Sequence, residues 1–258
     1  MLGISQSQMG RWKNNLAQAA IVAVLFVAWE TVSRTAIVDS RLLPPFSTIA
    51  ERIATLLGDT SFLFHLQVTA AEVALACVIV VPIGIGIGLL LNENKCFGAA
   101  FKPFFYFLAS VPKSVFLPIF ILLFGIGFSQ KVAFGVFQAL FVLVIATVGA
   151  ASSVPDELIR VARAYGASRW QLYREIYWPS MLPLILEGIR LGLIFNITGV
   201  VFAEMYVSRA GVGSRIGYWG QIFDIPNLLG GILLIALLSI LVNESLRWYE
   251  RRVGQWRA

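Results

Sequence analysis

The sequence predicts an all-α membrane protein with six transmembrane helices and one long polar insert. Three observations predict it. Of 258 residues, 58% are hydrophobic and 13% charged, where an ordinary soluble domain carries about a quarter charged. The apolar residues gather in runs close to the ~20 that a helix needs to cross a ~30 Å hydrocarbon core. The joints between runs are short except at residues 160–183, "RVARAYGASRWQLYREIYWPSMLP", which place four arginines, a glutamate, a glycine and two prolines between apolar neighbours.

The first apolar run, residues 16–32, follows Arg11 and Lys13. A basic stretch before an apolar one resembles a signal peptide, but the run is long and further runs follow, so it reads as a retained first helix. In "LLPPFSTIAERIATLLGD", Phe46, Ile49, Ile53 and Leu56 share one helical face and Thr48 with Glu51 forms a possible capping box. That stretch reads equally as a short amphipathic helix at the membrane surface or as a connecting loop. The second span covers residues 62–91, with Gly84 and Gly88 at the small-xxx-small spacing that lets helices approach closely. The third, 101–124, is interrupted by Pro103, Pro112 and Pro118. "GIGFSQK" reads as a turn before the fourth span at 132–151. The fifth, 184–207, repeats the small-residue spacing at Gly188 and Gly192, and the sixth covers 228–246. The expected organisation is therefore a tail at 1–15, a transmembrane domain at 16–247 that includes the insert at 152–182, and a tail at 248–258.

Six spans put the termini on one side, and lysine and arginine gather on the cytoplasmic side of membrane proteins. With the N-terminus inside, twelve basic residues fall inside: Arg11, Lys13, Lys95, Lys102, Arg160, Arg163, Arg169, Arg174, Arg247, Arg251, Arg252 and Arg257. Six fall outside: Arg34, Arg41, Arg52, Lys131, Arg209 and Arg215. Both termini and the insert are expected in the cytoplasm. The net charge of +6 and pI near 9.6 then record loop composition rather than nucleic-acid binding.

Within the insert, Ser153 is placed to cap a helix carrying Pro155, Asp156 and Glu157 in its first turn, where the helix dipole favours acidic groups. That helix runs to about Tyr165, and Gly166 supplies the left-handed residue that ends it. Ser168 opens a second helix with Gln171 three residues on, a second capping box. Leu172 and Ile176 give it an apolar edge, and Pro179 stops it. The expectation is two short helices joined by a tight bend, a rigid knob off the membrane. A linker and a DNA-reading helix-turn-helix share that outline. Tethering between two spans makes a duplex hard to reach, so a dock for a cytoplasmic protein is the preferred reading.

The insert resembles the EAA motif of ATP-binding-cassette (ABC) importer permeases: E-A-A, three residues, glycine, nine residues, then I-x-L-P. The motif opens at Arg160-Val161-Ala162, centres on Gly166 and closes at Ile176-Tyr177-Trp178-Pro179. Arginine stands where the glutamate is usual, valine replaces the first alanine and tryptophan the leucine. "LLPPFSTIAERIATLL", "SVPKSVFLPIFILLFGIG" and "FAEMYVSRAGVGSRI" are similar to stretches of the nitrate, sulfonate, taurine and bicarbonate branch of these permeases. The resemblance covers about residues 20–250. It implies the type I importer permease fold and a subunit of the bacterial inner membrane, in two like or paralogous copies, forming an alternating-access pathway for a small anion. It also implies separate ATPase subunits that dock on Arg160, Val161, Ala162, Arg163, Ala164, Tyr165, Gly166, Ala167, Ser168 and Arg169, and an extracytoplasmic solute-binding protein that delivers the solute.

The chain has no Gly-Lys dipeptide and hence no phosphate-cradling P-loop, so ATP would be used by a partner. One histidine, His65, and two separated cysteines, Cys77 and Cys96, offer no metal-ligand spacing, and no nucleophile–base pair stands out. The reading is a transport subunit that binds no cofactor and catalyses nothing itself. Charges inside spans are costly and suggest function. Glu30 and Glu204 are expected near the outer helix ends, reaching the interface, with Glu204 also a candidate for the transport pathway. Glu72 sits deeper, lining a pathway or closing a buried ion pair. Glu187 and Arg190 are spaced for a local salt bridge, and Lys113 or Arg190 could offset the charge of an oxyanion. The rival reading is an ion-gradient-driven transporter with Glu72 as its ion site. A third is a scaffold that transports nothing, against which proline- and glycine-interrupted spans argue.

Overall fold

A computed structural model describes residues 6–35, 39 and 41–254. Parts of the expected tails, residues 1–5 and 255–258 with Arg257, lie outside the described residues, as do the side chains of Arg11, Lys13, Arg251 and Arg252. Every regular element among the described residues is a helix: α1 (Gln6–Arg34), α2 (Phe46–Gly58), α3 (Thr60–Glu93), α4 (Lys95–Ser110), a 3-10 turn (Lys113–Phe116), α5 (Leu117–Phe124) and α6 (Phe128–Ser152). There follow α7 (Asp156–Ala164), α8 (Arg169–Gln171), a π turn (Leu172–Tyr177), α9 (Trp178–Tyr206), α10 (Val212–Gln221) and α11 (Ile225–Gly254).

Among the described residues four helical stretches are long and apolar enough to cross a membrane: α3, α6, the run ending in α9, and α11. The expected third span is bent by 94° where α4 meets the 3-10 turn and α5. Pro112 stands at that break, where it cannot continue the ladder of hydrogen bonds from α4. Helix α1 carries the first expected span.

Helix α6 is the axis of the bundle. It packs along its length against α9 and α3, and 56% of its apolar stretch is buried, against 17% for α11. Between apolar helices in lipid, burial alone supplies little drive, so close backbone approach carries the packing. The glycines provide it. A Cβ at Gly84 would lie 2.8 Å from Leu143 Cδ2, one at Gly88 2.5 Å from Thr147 Cβ, and one at Gly188 2.6 Å from Ala146 Cβ. The expected small-residue contacts at these three positions are present, with α6 as the shared partner. Gly192 is looser, its nearest neighbour being Leu143 Cβ at 3.8 Å.

Helix α2 forms with the expected face, Ile49 and Leu56 buried, and packs on α11. Its cap differs from expectation. Neither Thr48 nor Glu51 caps it; instead Glu30 of α1 accepts from Ser47 N at 3.1 Å and from Ser47 Oγ at 2.9 Å. A carboxylate there faces the positive end of the helix dipole, and Arg34 holds it at 2.6 Å. Glu30 thus joins two helices rather than simply reaching water.

Candidate functional site

The insert is built from the cap chemistry of its own residues. Helix α7 ends as a Schellman motif: Gly166, at φ 78°, donates its N–H to Arg163 O at 3.0 Å, and Ala167 donates to Ala162 O at 3.0 Å. Two residues on, Ser168 Oγ accepts from Gln171 N at 3.3 Å while Gln171 Oε1 accepts from Ser168 N at 2.8 Å, the expected capping box. Beneath the bend Ile159 packs with Ala150, Val154, Met181 and Ile185. Tyr173 Oη donates to Glu93 at the end of α3, and burial together with that carboxylate pushes the phenol well above its ordinary pKa. The tip faces outward, with Tyr165 89% and Trp170 72% exposed.

Two expectations about the insert are corrected. Ser153 does not cap α7; its hydroxyl donates to Ala150 O at 2.8 Å and closes the end of α6, while Pro155 occupies the cap position of α7. Pro179 does not stop the second helix. Trp178 N–H donates to Tyr173 O, five residues back, so the preceding turn is a π turn and Pro179 lies in the first turn of α9. The helical run is continuous there, and the wider π turn just before Pro179 lets the chain pass a residue that has no N–H to donate. The knob is therefore one free-standing helix, α7, bent onto an extension of the fifth span.

A second constellation joins α3, α6, α9 and the start of α10. Glu72 and Glu204 are fully buried and Lys131 is 3% exposed. Lys131 pairs with Glu72 and donates to Ala210 O at 3.0 Å. Thr69 Oγ1 donates to Glu204 Oε1 at 2.7 Å and accepts from Val212 N at 2.8 Å. Gly213 N donates to Glu204 Oε2 at 2.7 Å, and Gly211 N donates to His65 Nδ1 at 3.0 Å. Three successive amides of the α9–α10 turn are thus held by side chains of α3 and α9. Gly211, at φ 111°, has no room for a Cβ, which would strike the Glu204 carboxyl. Beside the cluster lies a cavity of about 510 Å³, lined by Val68, Glu72, Phe128, Lys131 and Arg209 among others.

The expected outward reach of Glu204 is overturned, because α10 folds back and covers it. Lys131 is likewise no loop residue: α6 begins at Phe128, so Lys131 falls in its first turn, facing Glu72. Glu72 closes the buried ion pair. Arg190 reaches both Glu187 and Glu250 at 3.8 Å, so the local bridge extends to α11. Lys113 is buried at the 94° bend, donating to Ala109 O at 3.0 Å, its Nζ 5.6 Å from the Phe195 ring centre and 6.0 Å from that of Phe141. Sequence reasoning missed Thr69 and Lys131. The signal for Thr69 was its place one turn before Glu72.

Long apolar helices joined by a punctuated polar knob define a multi-pass helical membrane protein. Residues 80–255 match the family described as binding-protein-dependent transport system inner membrane component. The chain belongs to that family, the permease subunits of ABC importers. It is 29% identical to the taurine transport system permease protein of Escherichia coli K12, over 91% of this chain and 87% of the relative. It is also 29% identical to the putative aliphatic sulfonates transport permease protein of Bacillus subtilis 168, over 98% and 90%. Among solved structures it superposes on a chain of the MetNI methionine ABC transporter, inward facing, with a TM-score of 0.66 at 20% identity, covering 73% of this chain and 94% of that one.

Proposed function

We propose that this permease carries a small organic or inorganic anion inward across the bacterial inner membrane by alternating access, driven by a separate ATPase that docks on residues 160–169. The exposed, doubly capped bend at Gly166 carries the proposal: a tip bearing Tyr165 and Trp170, on a base fixed by Ile159 and Tyr173, is shaped to transmit force. Relatives named for taurine and for aliphatic sulfonates support a sulfonate as the solute, with nitrate and bicarbonate as the other members of the class. Both termini and the insert are assigned to the cytoplasm, a second permease copy completes the pathway, and a binding protein delivers from the other side.

Lys113 is the cation assigned to the solute path. It is buried, and no carboxylate pairs with it among the described residues; an unpaired buried cation is costly unless an anion visits it. Glu72, by contrast, is committed to Lys131, which argues against its serving as the ion site of a gradient-driven transporter. The test is purification of the tagged chain from its native membrane in mild detergent. An ATP-hydrolysing subunit at equal stoichiometry is expected. A chain that comes out alone, and moves solute in ATP-free vesicles under an ion gradient, would overturn the assignment.

A further inference from the structure

The buried cluster does not balance in charge. Glu72 and Glu204 are fully enclosed, and Lys131 is the one cation within ion-pair range of either among the described residues. His65 accepts from Gly211 N–H through Nδ1, as a neutral imidazole does, and Arg215 is directed to Ser61 Oγ at 3.2 Å. With both carboxyls ionised, one negative charge would be left without compensation in a closed site, a state that buried groups escape by binding a proton.

The hydrogen bonds set the two carboxyls apart. Glu204 already accepts from Thr69 and Gly213. Glu72 meets no N–H or O–H donor beyond the Lys131 ammonium, and it lies one turn along α3 from Thr69, the residue that donates to Glu204. Two ionised carboxylates only accept, and Lys131 can neutralise one of them, so the other needs a proton. We propose that the buried Glu72–Glu204 pair carries a single proton, and that Glu204 is the positioning residue of the α9–α10 turn. The neutral cluster holds the amides of Val212 and Gly213 and the carbonyl of Ala210. Ala210 lines the 510 Å³ cavity beside Arg209. The shape of that wall therefore depends on one proton rather than on apolar packing.

Glu204→Gln is the isosteric test. Its amide oxygen can still accept from Gly213, while Thr69 turns its hydroxyl to His65 O, 3.2 Å away. The complex as purified, in nanodiscs at neutral pH, should show the infrared carbonyl band of a buried protonated carboxylic acid. Either E204Q or E72Q should abolish it, since each leaves one carboxylate for Lys131. Hydrogen exchange at Gly211–Gly213 should stay slow in E204Q and become fast in Glu204→Ala. No such band in the wild type, a band surviving in either glutamine variant, or an E204Q as fast-exchanging as the alanine variant would each overturn the proposal.

Discussion

Helix α3 contains an internal experiment on what holds the bundle together. Gly86 and Gly88 sit two residues apart, so alanine at either gains the same helix propensity, about 0.8–1.0 kcal/mol. Their surroundings differ. Nothing lies within 4 Å of a Cβ at Gly86, whereas one at Gly88 would lie 2.5 Å from Thr147 Cβ and 3.0 Å from Val144 O. Neither atom is the free end of a side chain, so α6 itself must move. Overpacking of that kind costs about 1–3 kcal/mol. Gly86→Ala should therefore raise stability by up to about 1 kcal/mol, while Gly88→Ala should fall between no change and a loss of about 2 kcal/mol. The propensity term is common to the pair, so their difference isolates the clash at about 1–3 kcal/mol. At about 2 °C or more per kcal/mol for a chain of this size, thermal unfolding in nanodiscs resolves it. Equal melting temperatures, or a more stable Gly88→Ala, would refute the claim that close α3–α6 approach carries the packing.

Gly166→Val should leave the chain in the membrane, since nothing crowds that position, but a β-branched residue at φ 78° costs at least about 1–2 kcal/mol and opens the bend; ATP-driven uptake and retention of the ATPase should both drop, and full uptake would remove the docking role. Tyr173→Phe should weaken the base of the insert by about 0.5–1.5 kcal/mol, the worth of one hydrogen bond, read by hydrogen exchange across residues 159–177. Because the folded phenol titrates above its ordinary value of 10, its contribution is complete below pH 10 and is lost as pH rises beyond that; wild-type protection should fall there, and the Phe variant should not share that fall. Lys131→Met leaves Glu72 buried without its partner and should cost about 3–5 kcal/mol, relieved largely in the Lys131→Met, Glu72→Gln double variant; a double variant as unstable as the single one would show that the pair is not the source of the loss.

The local chemistry of the insert was legible because caps act between near neighbours. Ser168 and Gln171 are three residues apart, and Gly166 needs only its own φ. The same reasoning misled where a distant group supplied the partner. Thr48 and Glu51 match a capping box, yet Glu30, seventeen residues before Ser47, takes the helix end. Ser153 had a better acceptor behind it, in Ala150, than the helix ahead. Pro179 reads as a stop in any sequence, and only the π turn before it shows how the chain passes.

Composition and apolar runs determined that this is a helical membrane protein with one polar insert, because spanning a bilayer demands long apolar helices whatever their neighbours are. Nothing in the sequence could place Lys131, Thr69 and Glu204 together, since they lie up to 135 residues apart and gather only where α3, α6 and α9 pack and the α9–α10 turn closes over them. Burial decides whether a carboxyl in a span reaches water or must find a partner, and burial belongs to the assembled bundle, not to the position of a residue along its helix.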